Sequence, residues 1–246
     1  MPKALNTPEA RFLSARYQRI NVRRQEHLAT LGLPIAGRSV LEVGAGVGDH
    51  TSFFLDRGCR VTALEARPEN VELFRERVGG WGYRADPAVE VVCAPVEDVT
   101  EAVGAGRTFE VVYCYGLLYH TGDPAGVIEA IARHCSGMLL LETCSSFDAE
   151  ATANTRREDT NNPTQSFTGQ ACRPSRPFLM RELRARFEHV YVPATQPAHE
   201  QFPLDWSDEG RAAHEQDNAR AIFVASRAPL AVPGLLTELP MRQTPA

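Results

Sequence analysis

The stretch VLEVGAGVGD, residues 40–49, decides the fold of this chain. It starts as a buried strand that carries an acid, Glu42, and then has glycines at alternate positions, namely Gly44, Gly46 and Gly48. Glycine permits unusual backbone angles and removes the side chain that would hold a ligand away. Because ligands of open parallel sheets bind beyond the carboxyl ends of the strands, this turn predicts a small-molecule site.

Strand-like and helix-like segments alternate along most of the chain. The strand-like runs cover residues 38–43, 60–65, 89–94, 109–115, 137–143 and 219–227. The helix-like stretches lie near residues 48–57, 68–78, 123–135 and 177–187. This alternation implies right-handed crossovers and a mostly parallel sheet that is covered on both faces. We therefore predict an α/β, Rossmann-like fold with a seven-stranded, mostly parallel sheet.

Three segments flank or interrupt this pattern. Residues 1–37 contain one amphipathic helix pattern over 8–31, which we interpret as a lid over the site. Residues 38–228 form the main domain, with a polar insertion at 144–176 and a further loop at 193–218. The tail, residues 229–246, is rich in proline and is expected to pack loosely.

Composition narrows the function classes. The chain is 43% apolar and 23% charged, as in ordinary globular proteins, and its net charge of −5 favours neither nucleic acids nor anionic membranes. Neither a signal peptide nor a membrane span is evident, and the six cysteines lack a metal-ligand spacing. We expect a cytoplasmic protein with reduced thiols and neither a membrane partner nor a nucleic-acid partner; a homodimer is left open.

The residue that follows the glycines separates two ligand classes. A dinucleotide-binding turn has a third glycine where this chain has Asp49, and a carboxylate there would repel a diphosphate. This argues against a nicotinamide oxidoreductase. Glu65 ends the second strand, where an acid can accept hydrogen bonds from ribose hydroxyls. We therefore expect a nucleoside that carries positive charge.

Four motifs in order resemble those of class I S-adenosylmethionine-dependent methyltransferases. They are VLEVGAGVG, the acid at Glu65, the pair Glu97-Asp98, and FEVVYCYGLLYHTGDP, which together span about residues 38–143. The resemblance implies S-adenosyl-L-methionine as the cofactor. The residues that it places against the cofactor are Glu42, Gly44, Ala45, Gly46, Gly48, Asp49, His50, Glu65, Ala66, Val96, Glu97, Asp98, Tyr115 and Gly116.

The resemblance also implies roles for the acids. Glu42 is expected to orient the turn and the methionine ammonium, and Glu65 to hold the ribose hydroxyls. One of Glu97 and Asp98 is expected to receive the adenine amino group, and the other to cap a helix. A non-catalytic cofactor-binding protein is the alternative, which this full set of acids disfavours.

Methyl transfer from a sulfonium is an in-line displacement, so a base is needed only if the acceptor keeps its proton until attack. No metal is required. His120 in GLLYHTGDP follows the fourth strand, and neutral imidazole is a suitable base near pH 7. The alternative for His120 is a structural role, either in capping the next helix or in packing.

The acceptor is expected to be a small polar metabolite that is methylated on oxygen or nitrogen, and an anionic acceptor is one option. Residues 155–186 carry seven arginines against three acids, and arginine suits carboxylate or phosphate contacts. The residues expected to bind the acceptor are Tyr17, Asn21, Tyr119, Arg156, Arg157, Arg173, Arg176, His199 and Trp206. For Trp206, packing on the core is an equal alternative.

A second function remains open at this stage. GLLYHTGDP followed by LLLETC is similar to tRNA wobble-uridine carboxymethyltransferase-like proteins, so an RNA methyltransferase is the alternative. The arginine-rich segment would then bind phosphates, and the affinity for tRNA would depend strongly on salt. The net charge and the absence of a recognisable RNA-binding module argue against this alternative.

Overall fold

A computed structural model describes residues 6–81, 89–214 and 218–246. Its strands are β1 (Ser39–Val43), β2 (Arg60–Glu65), β3 (Val89–Cys93), β4 (Phe109–Tyr115), β5 (Cys135–Cys144), β6 (Ala153–Arg157), β7 (Gln170–Pro174), β8 (His189–Pro193), β9 (Thr195–Gln196), β10 (Arg220–Ser226), β11 (Leu235–Leu236) and β12 (Thr244–Pro245). Its helices are α1 (Pro8–Phe12), α2 (Ala15–Thr30), α3 (Thr51–Leu55), α4 (Pro68–Gly80), α5 (Val99–Val103), α6 (Pro124–Arg133), α7 (Arg176–Arg184) and α8 (Asp208–Ala213). Residues 1–5 of the expected lid and 215–217 of the expected loop lie outside the described residues.

The main sheet has the strand order β11-β8-β10-β5-β4-β1-β2-β3. Strands β1 to β5 pair in parallel, and β10 runs antiparallel between β5 and β8. The order reverses between β1 and β4, because β2 and β3 lie on one side of β1 and β4 and β5 on the other. Such a reversal leaves a crevice beyond the carboxyl ends of the two strands. The predicted Rossmann-like, mostly parallel fold is confirmed.

Two apolar clusters lie on opposite faces of this sheet, because alternate strand residues point to opposite sides. Val40 of β1 belongs to the cluster that contains Leu28 of α2 and Phe54 of α3. Leu41, the next residue, belongs to the cluster that contains Ile128 of α6 and Leu179 of α7. Burial on both faces explains why the strands read as continuous apolar runs.

The helix expected over residues 8–31 is two helices. Ser14 has an extended backbone (φ −65°, ψ 144°), and its Oγ accepts a hydrogen bond from the Tyr17 backbone N–H at 3.3 Å. A serine in this position caps a new helix and does not continue the old one. The apolar stripe of the sequence runs through both helices and so did not reveal the break.

The insertion and the tail are more ordered than expected. The insertion contains an antiparallel hairpin, β6–β7. In the tail, β11 pairs with β8 and adds an eighth strand to the expected seven, while β12 pairs with β9. Gln243 is buried and donates to the Pro193 carbonyl at 2.7 Å. Backbone pairing therefore holds the tail, which its proline content did not predict.

Among the described residues, none of the helices has the length and apolar character needed to cross a membrane.

Candidate active site

The glycine turn after β1 is fixed against β2. The backbone N–H groups of Gly44 and Ala45 donate to the Leu64 carbonyl at 2.8 and 3.1 Å. Gly44 and Gly46 have φ angles of +71° and +57°, which L-residues with side chains rarely adopt. A Cβ on Gly46 would lie 2.7 Å from the Phe12 ring. The turn therefore offers bare backbone at the point where the strand order reverses.

Glu65 at the end of β2 holds this turn in place. Its Oε2 accepts the Gly46 N–H at 2.9 Å, and its Oε1 accepts from the Arg67 N–H at 3.0 Å and from Asn70 Nδ2 at 3.1 Å. Burial raises the pKa of the Glu65 carboxyl, and these three hydrogen bonds oppose the rise. Glu65 is thus a structural part of the turn as well as an acid that lines the space beside it.

Two adjoining cavities meet over the turn, and together we call them the glycine crevice. Phe12, Tyr17, Gly44 and Gly46 line both cavities. Counting the space that is open to solvent, the Glu65 cavity offers about 680 Å³ and the Glu42 cavity about 350 Å³. A cleft lined by apolar side chains and a few polar groups is typical of small-ligand sites.

The Glu65 cavity contains most of the residues expected on the nucleoside side. Those that line it are Gly44, Gly46, Glu65, Ala66, Val96, Glu97, Gly116 and His120. The insertion forms another wall, with Pro163, Thr164, Gln165, Phe167 and Thr168. The Pro163 carbonyl accepts from Asn70 Nδ2 at 3.1 Å, so the insertion is tied to the same side chain that contacts Glu65. The insertion thus lines the Glu65 cavity, a position that the sequence analysis did not predict.

The Glu42 cavity contains the other expected residues and two unsatisfied polar groups. Glu42, Ala45, Asp49, His50 and Tyr115 line it, together with Asn21 and Arg24 of α2. Two buried atoms there, His50 Nε2 and the Tyr115 hydroxyl, have no hydrogen-bond partner among the described residues. Buried polar atoms are normally satisfied, so these two atoms indicate that a polar ligand completes the cavity.

Burial sets the protonation of two groups in the Glu42 cavity. It raises the pKa of Glu42 to about 8, although the Thr51 hydroxyl donates to Oε2 at 2.6 Å and opposes the rise. Burial lowers the pKa of His50 to about 3, so this imidazole is neutral. A cation placed in the cavity would favour the ionised form of Glu42.

Asp49 joins α2 to the turn. Its Oδ2 accepts from Gln18 Nε2 and Asn21 Nδ2 of α2 at 2.8 and 2.9 Å. Its Oδ1 accepts from Arg77 Nη1 at 2.7 Å. Both oxygens therefore have protein partners, and the negative charge of Asp49 is matched by Arg77. Asn21 lines the Glu42 cavity.

A second pocket, which we call the arginine pocket, lies on the other side of α2 and contains about 650 Å³ of empty space. Its lining residues are Arg11, Ser14, Arg16, Tyr17, Ile20, Arg24, Tyr119, Thr164, His199, Gln201 and Arg220. Tyr17 and Arg24 also line the glycine crevice, so the two spaces share a wall. The expected acceptor residues Tyr17, Tyr119 and His199 therefore lie together.

His120 pairs with Glu158 of the insertion, which accepts a hydrogen bond from its Nδ1. Burial lowers the pKa of His120, and the Glu158 carboxylate opposes this. Burial works against ionisation of Glu158, but the bonds from His120 and the Ser166 N–H keep its pKa below the usual value. The pair is thus a neutral imidazole that donates to a carboxylate, with Nε2 as the remaining ring nitrogen.

Two expected cofactor residues do not line the crevice. A Cβ on Gly48 would lie 2.8 Å from the Phe74 ring, so Gly48 permits the close packing of α4. Asp98 is exposed at the start of α5, while Glu97 lines the Glu65 cavity. Of the pair, the structure therefore places only Glu97 beside the crevice.

The arginines of the insertion do not line the arginine pocket. Arg156 and Arg157 are exposed on β6. Arg173 lies over the Tyr119 ring, 5.1 Å from its centroid, with Nη2 3.8 Å from Glu158 Oε1. It therefore packs behind the pocket wall, where it supports Tyr119 and Glu158.

Arg176 and Trp206 also lie away from the arginine pocket. Arg176 is buried at the start of α7, stacks 4.4 Å from the Trp206 ring centroid and donates to the Pro240 carbonyl at 2.8 Å. Trp206 Nε1 donates to Gln243 Oε1 at 3.0 Å. These residues fasten the tail to the domain, because the tail supplies the acceptors that both side chains use.

Several residues in these sites escaped the sequence analysis: Phe12, Glu142, Glu158, Gln201 and Arg220. Two of them had a signal in the sequence. Glu142 interrupts the apolar run LLLETC, and Arg220 opens the apolar run RAIFVAS. A charged residue inside a strand that is buried on both faces needs a partner, so such interruptions mark buried ion pairs.

Comparison with known proteins agrees with this geometry. A family model described as a methyltransferase domain matches residues 12–202. Curated relatives include the ubiquinone biosynthesis O-methyltransferases of Xanthomonas oryzae pv. oryzae, 34% identical over 113 residues, and of Bordetella avium, 31% identical over 114 residues. The matched segments cover 45% and 46% of this chain and 45% and 44% of those proteins, so the chain spans about half the length of the curated relatives it matches.

Solved structures give the same fold. The N-terminal domain of EvdMO1 with SAH bound is 23% identical with a TM-score of 0.61, over 84% of this chain and 80% of that one. The Burkholderia thailandensis 1,6-didemethyltoxoflavin-N1-methyltransferase, bound to its substrate and S-adenosylhomocysteine, is 20% identical with a TM-score of 0.54, over 85% and 79%. At these identities the similarity establishes the fold.

Proposed function

This chain belongs to the methyltransferase domain family, and on that premise we propose that it transfers a methyl group from S-adenosylmethionine to an oxygen or nitrogen of a small polar metabolite. One observation carries the proposal. The glycine crevice has an acid on each side of the bare turn, and a separate enclosed pocket adjoins it through Tyr17 and Arg24. One space suits the cofactor and the other suits the acceptor.

The residues present fit S-adenosylmethionine. The Glu65 cavity would take the adenosine, with the ribose at Glu65 and the adenine near Val96 and Glu97. The Glu42 cavity would take the methionine part, whose ammonium and carboxylate would give His50 Nε2 and the Tyr115 hydroxyl the partners they lack. When bound, the cofactor supplies an electrophilic methyl group on a positively charged sulfur.

The protein's own contribution is alignment, exclusion of water and removal of one proton. The α2 helix lies over both spaces, since Tyr17 lines the glycine crevice and the arginine pocket. We infer that His120 accepts the acceptor's proton at Nε2, while its Nδ1–H stays with Glu158. Glu158 is a positioning residue in this scheme, because it fixes the tautomer that leaves Nε2 basic.

The acceptor is proposed to be a small molecule. The relatives named above include a ubiquinone biosynthesis O-methyltransferase and a toxoflavin-precursor N-methyltransferase, so neighbours of this chain act on small compounds. The arginine pocket is lined by side chains of several segments that converge on one small space, which suits a small acceptor. The RNA alternative is therefore not favoured.

Labelled S-adenosylmethionine tests the proposal. We expect calorimetry to show binding of S-adenosylhomocysteine, and we expect the protein to transfer labelled methyl to a component of a pool of hydroxy and amino compounds. Absence of cofactor binding would remove the proposal. Transfer to tRNA alone, with an affinity that falls steeply with salt, would replace it with the RNA alternative.

A further inference from the structure

Two buried arginines share one buried carboxylate behind the arginine pocket. Glu142 of β5 accepts from Arg24 Nη2 at 2.8 Å and from Arg220 Nη1 at 2.9 Å. The side chains of Arg24, Arg220 and Glu142 are 4%, 9% and 0% exposed. The three groups therefore hold one surplus positive charge away from solvent.

The remaining contacts of these arginines are with neutral groups. Arg24 Nη1 donates to Asn21 Oδ1, while Arg220 donates to Gln201 Oε1 at 2.7 Å and to the Tyr119 hydroxyl at 3.1 Å. Arg24 Nε is buried and has no hydrogen-bond partner among the described residues. A buried charge is costly unless an opposite charge accompanies it, so the cluster is arranged to receive an anion.

The proposed cofactor would not remove this surplus. S-adenosylmethionine carries a sulfonium, an ammonium and one carboxylate, so its net charge is positive. Ionisation of Glu42 would cancel that added charge, and Asp49 is already matched by Arg77. Even if Arg24 contacts the cofactor carboxylate, one positive charge therefore remains, and it must be matched by the acceptor.

The wall of the arginine pocket presents hydrogen-bond donors. Among the described residues that line it are the four arginines Arg11, Arg16, Arg24 and Arg220, and neither aspartate nor glutamate. His199 is not a free donor of this kind, because its Nδ1 accepts from the Gln201 backbone N–H at 3.2 Å and its Nε2 lies 3.5 Å from the Glu200 carboxylate. The Tyr119 hydroxyl accepts from Arg220, which leaves its own proton to donate.

We propose that the arginine pocket is a carboxylate subsite, centred on Arg220, and that the methyl acceptor is therefore a small hydroxy or amino carboxylic acid. A monoanion matches the single surplus charge, and the planar guanidinium suits a planar carboxylate. The subsite lies next to the end of β4, since a Cβ on Gly116 would lie 3.2 Å from Arg24 Nη2. This inference rests on the proposed function, because it assigns the anion to the methyl acceptor.

Paired probes of equal shape test the subsite. Salicylate and lactate are titrated at constant ionic strength into protein saturated with S-adenosylhomocysteine, beside their neutral amides, salicylamide and lactamide. We expect each acid to bind at least about tenfold more tightly than its amide, because only the carboxylate can form charge-assisted hydrogen bonds with the Arg220 guanidinium. Saturation with S-adenosylhomocysteine is checked first, so loss of cofactor binding is recognised separately as failure of the proposed function.

Two variants locate the subsite. Arg220→Met should abolish the preference for the acid and leave the affinity for S-adenosylhomocysteine unchanged, and Tyr119→Phe, which keeps the charge cluster intact, should reduce it. Arg133→Met, on the exposed face of α6, is the matched control and should behave as wild type. Equal binding of acid and amide by the wild type would overturn the proposal, as would an acid preference that survives in Arg220→Met. Tighter binding of phenyl phosphate than of both acids would overturn the assignment to a carboxylate.

Discussion

The glycine crevice and the arginine pocket share Tyr17 and Arg24 of α2 but are assembled in different ways. The floor of the crevice is built from the turns after β1, β2, β3 and β4, with bare backbone and acids, while α1, α2 and the insertion add further walls. The arginine pocket draws on α2, the turn after β4, the loop before α8 and β10, and it is rich in arginine.

The difference indicates why cofactor binding and acceptor binding are assigned to different regions of the molecule. A cofactor that carries net positive charge needs acids and close approach to the main chain, and the strand ends of a doubly wound sheet provide both. The acceptor site needs a different shape and charge, and segments that are far apart in the chain provide them. Changes in one region should therefore alter binding of one ligand and leave binding of the other intact.

The largest expected effect lies at the boundary between the two regions. His120 lines the crevice, and its ring lies 3.9 Å from that of Tyr119, which lines the arginine pocket. His120→Ala should lower kcat by about 10²- to 10⁴-fold through loss of the base. Titration calorimetry should show the affinity for S-adenosylhomocysteine nearly unchanged, and His189→Ala on β8 is the control. Unchanged turnover would reject the base role.

The pH profile sharpens this assignment. Burial lowers the pKa of His120, so the base is neutral at pH 7 and kcat/KM should fall only below the ordinary histidine range. Glu158→Gln removes the carboxylate that raises this pKa, so the acidic limb should move to still lower pH while kcat falls. An acidic limb at the same pH in both proteins would contradict the pairing.

A smaller effect is expected at the bare turn. Gly46→Ala and Gly58→Ala both place a side chain at positive φ, +57° and +70°, but only the Cβ at position 46 meets a neighbour within 4 Å. Gly58→Ala should lose about 1–2 kcal/mol of stability, and Gly46→Ala should lose more, because its Cβ would also lie 2.7 Å from the Phe12 ring. Only Gly46→Ala should weaken the binding of S-adenosylhomocysteine. We expect a loss of about 1.4 kcal/mol or more in binding free energy, which is about tenfold or more in affinity. Equal cofactor affinity in the two variants would contradict the claim that the turn contacts the cofactor.

The smallest effect concerns one proton. Burial raises the pKa of Glu42 to about 8, so this carboxyl is mostly protonated at pH 7. An ammonium bound beside it favours the ionised form, so cofactor binding should release up to about one proton. Calorimetry in buffers of different ionisation enthalpy measures this release, which Glu42→Gln should abolish. A binding enthalpy that does not depend on the buffer would place the ammonium elsewhere.

The sequence predicted the crevice because its determinants are local. Three glycines after an apolar strand and an acid at the end of the next strand are visible as spacing, and the parallel fold brings strand ends together. Glu65 and Gly46 are accordingly in contact at 2.9 Å. Gly48 and Asp98 are the exceptions, because they match the motif but do not line the crevice. Gly48 permits close packing of Phe74, and Asp98 is exposed on the surface.

Tyr17, Tyr119 and His199 of the arginine pocket were predicted, but its buried charge cluster escaped prediction because its determinants are long-range. Arg220 meets Glu142, 78 residues away, only because β10 returns antiparallel beside β5. The same limit explains Arg176, which was expected at the acceptor but holds a tail that looked unstructured, whereas Trp206 follows its alternative of packing on the core. Arginine content alone could not say which arginines the fold buries together.

Calorimetric titration of S-adenosylhomocysteine into wild type, Glu65→Ala and Arg220→Met tests the central claim, that the two regions bind separate ligands. The account predicts micromolar or tighter binding to wild type, weakening by about tenfold or more in Glu65→Ala, since a charged hydrogen-bond acceptor is lost, and no change in Arg220→Met. An absence of binding to wild type, or equal weakening in both variants, would contradict it.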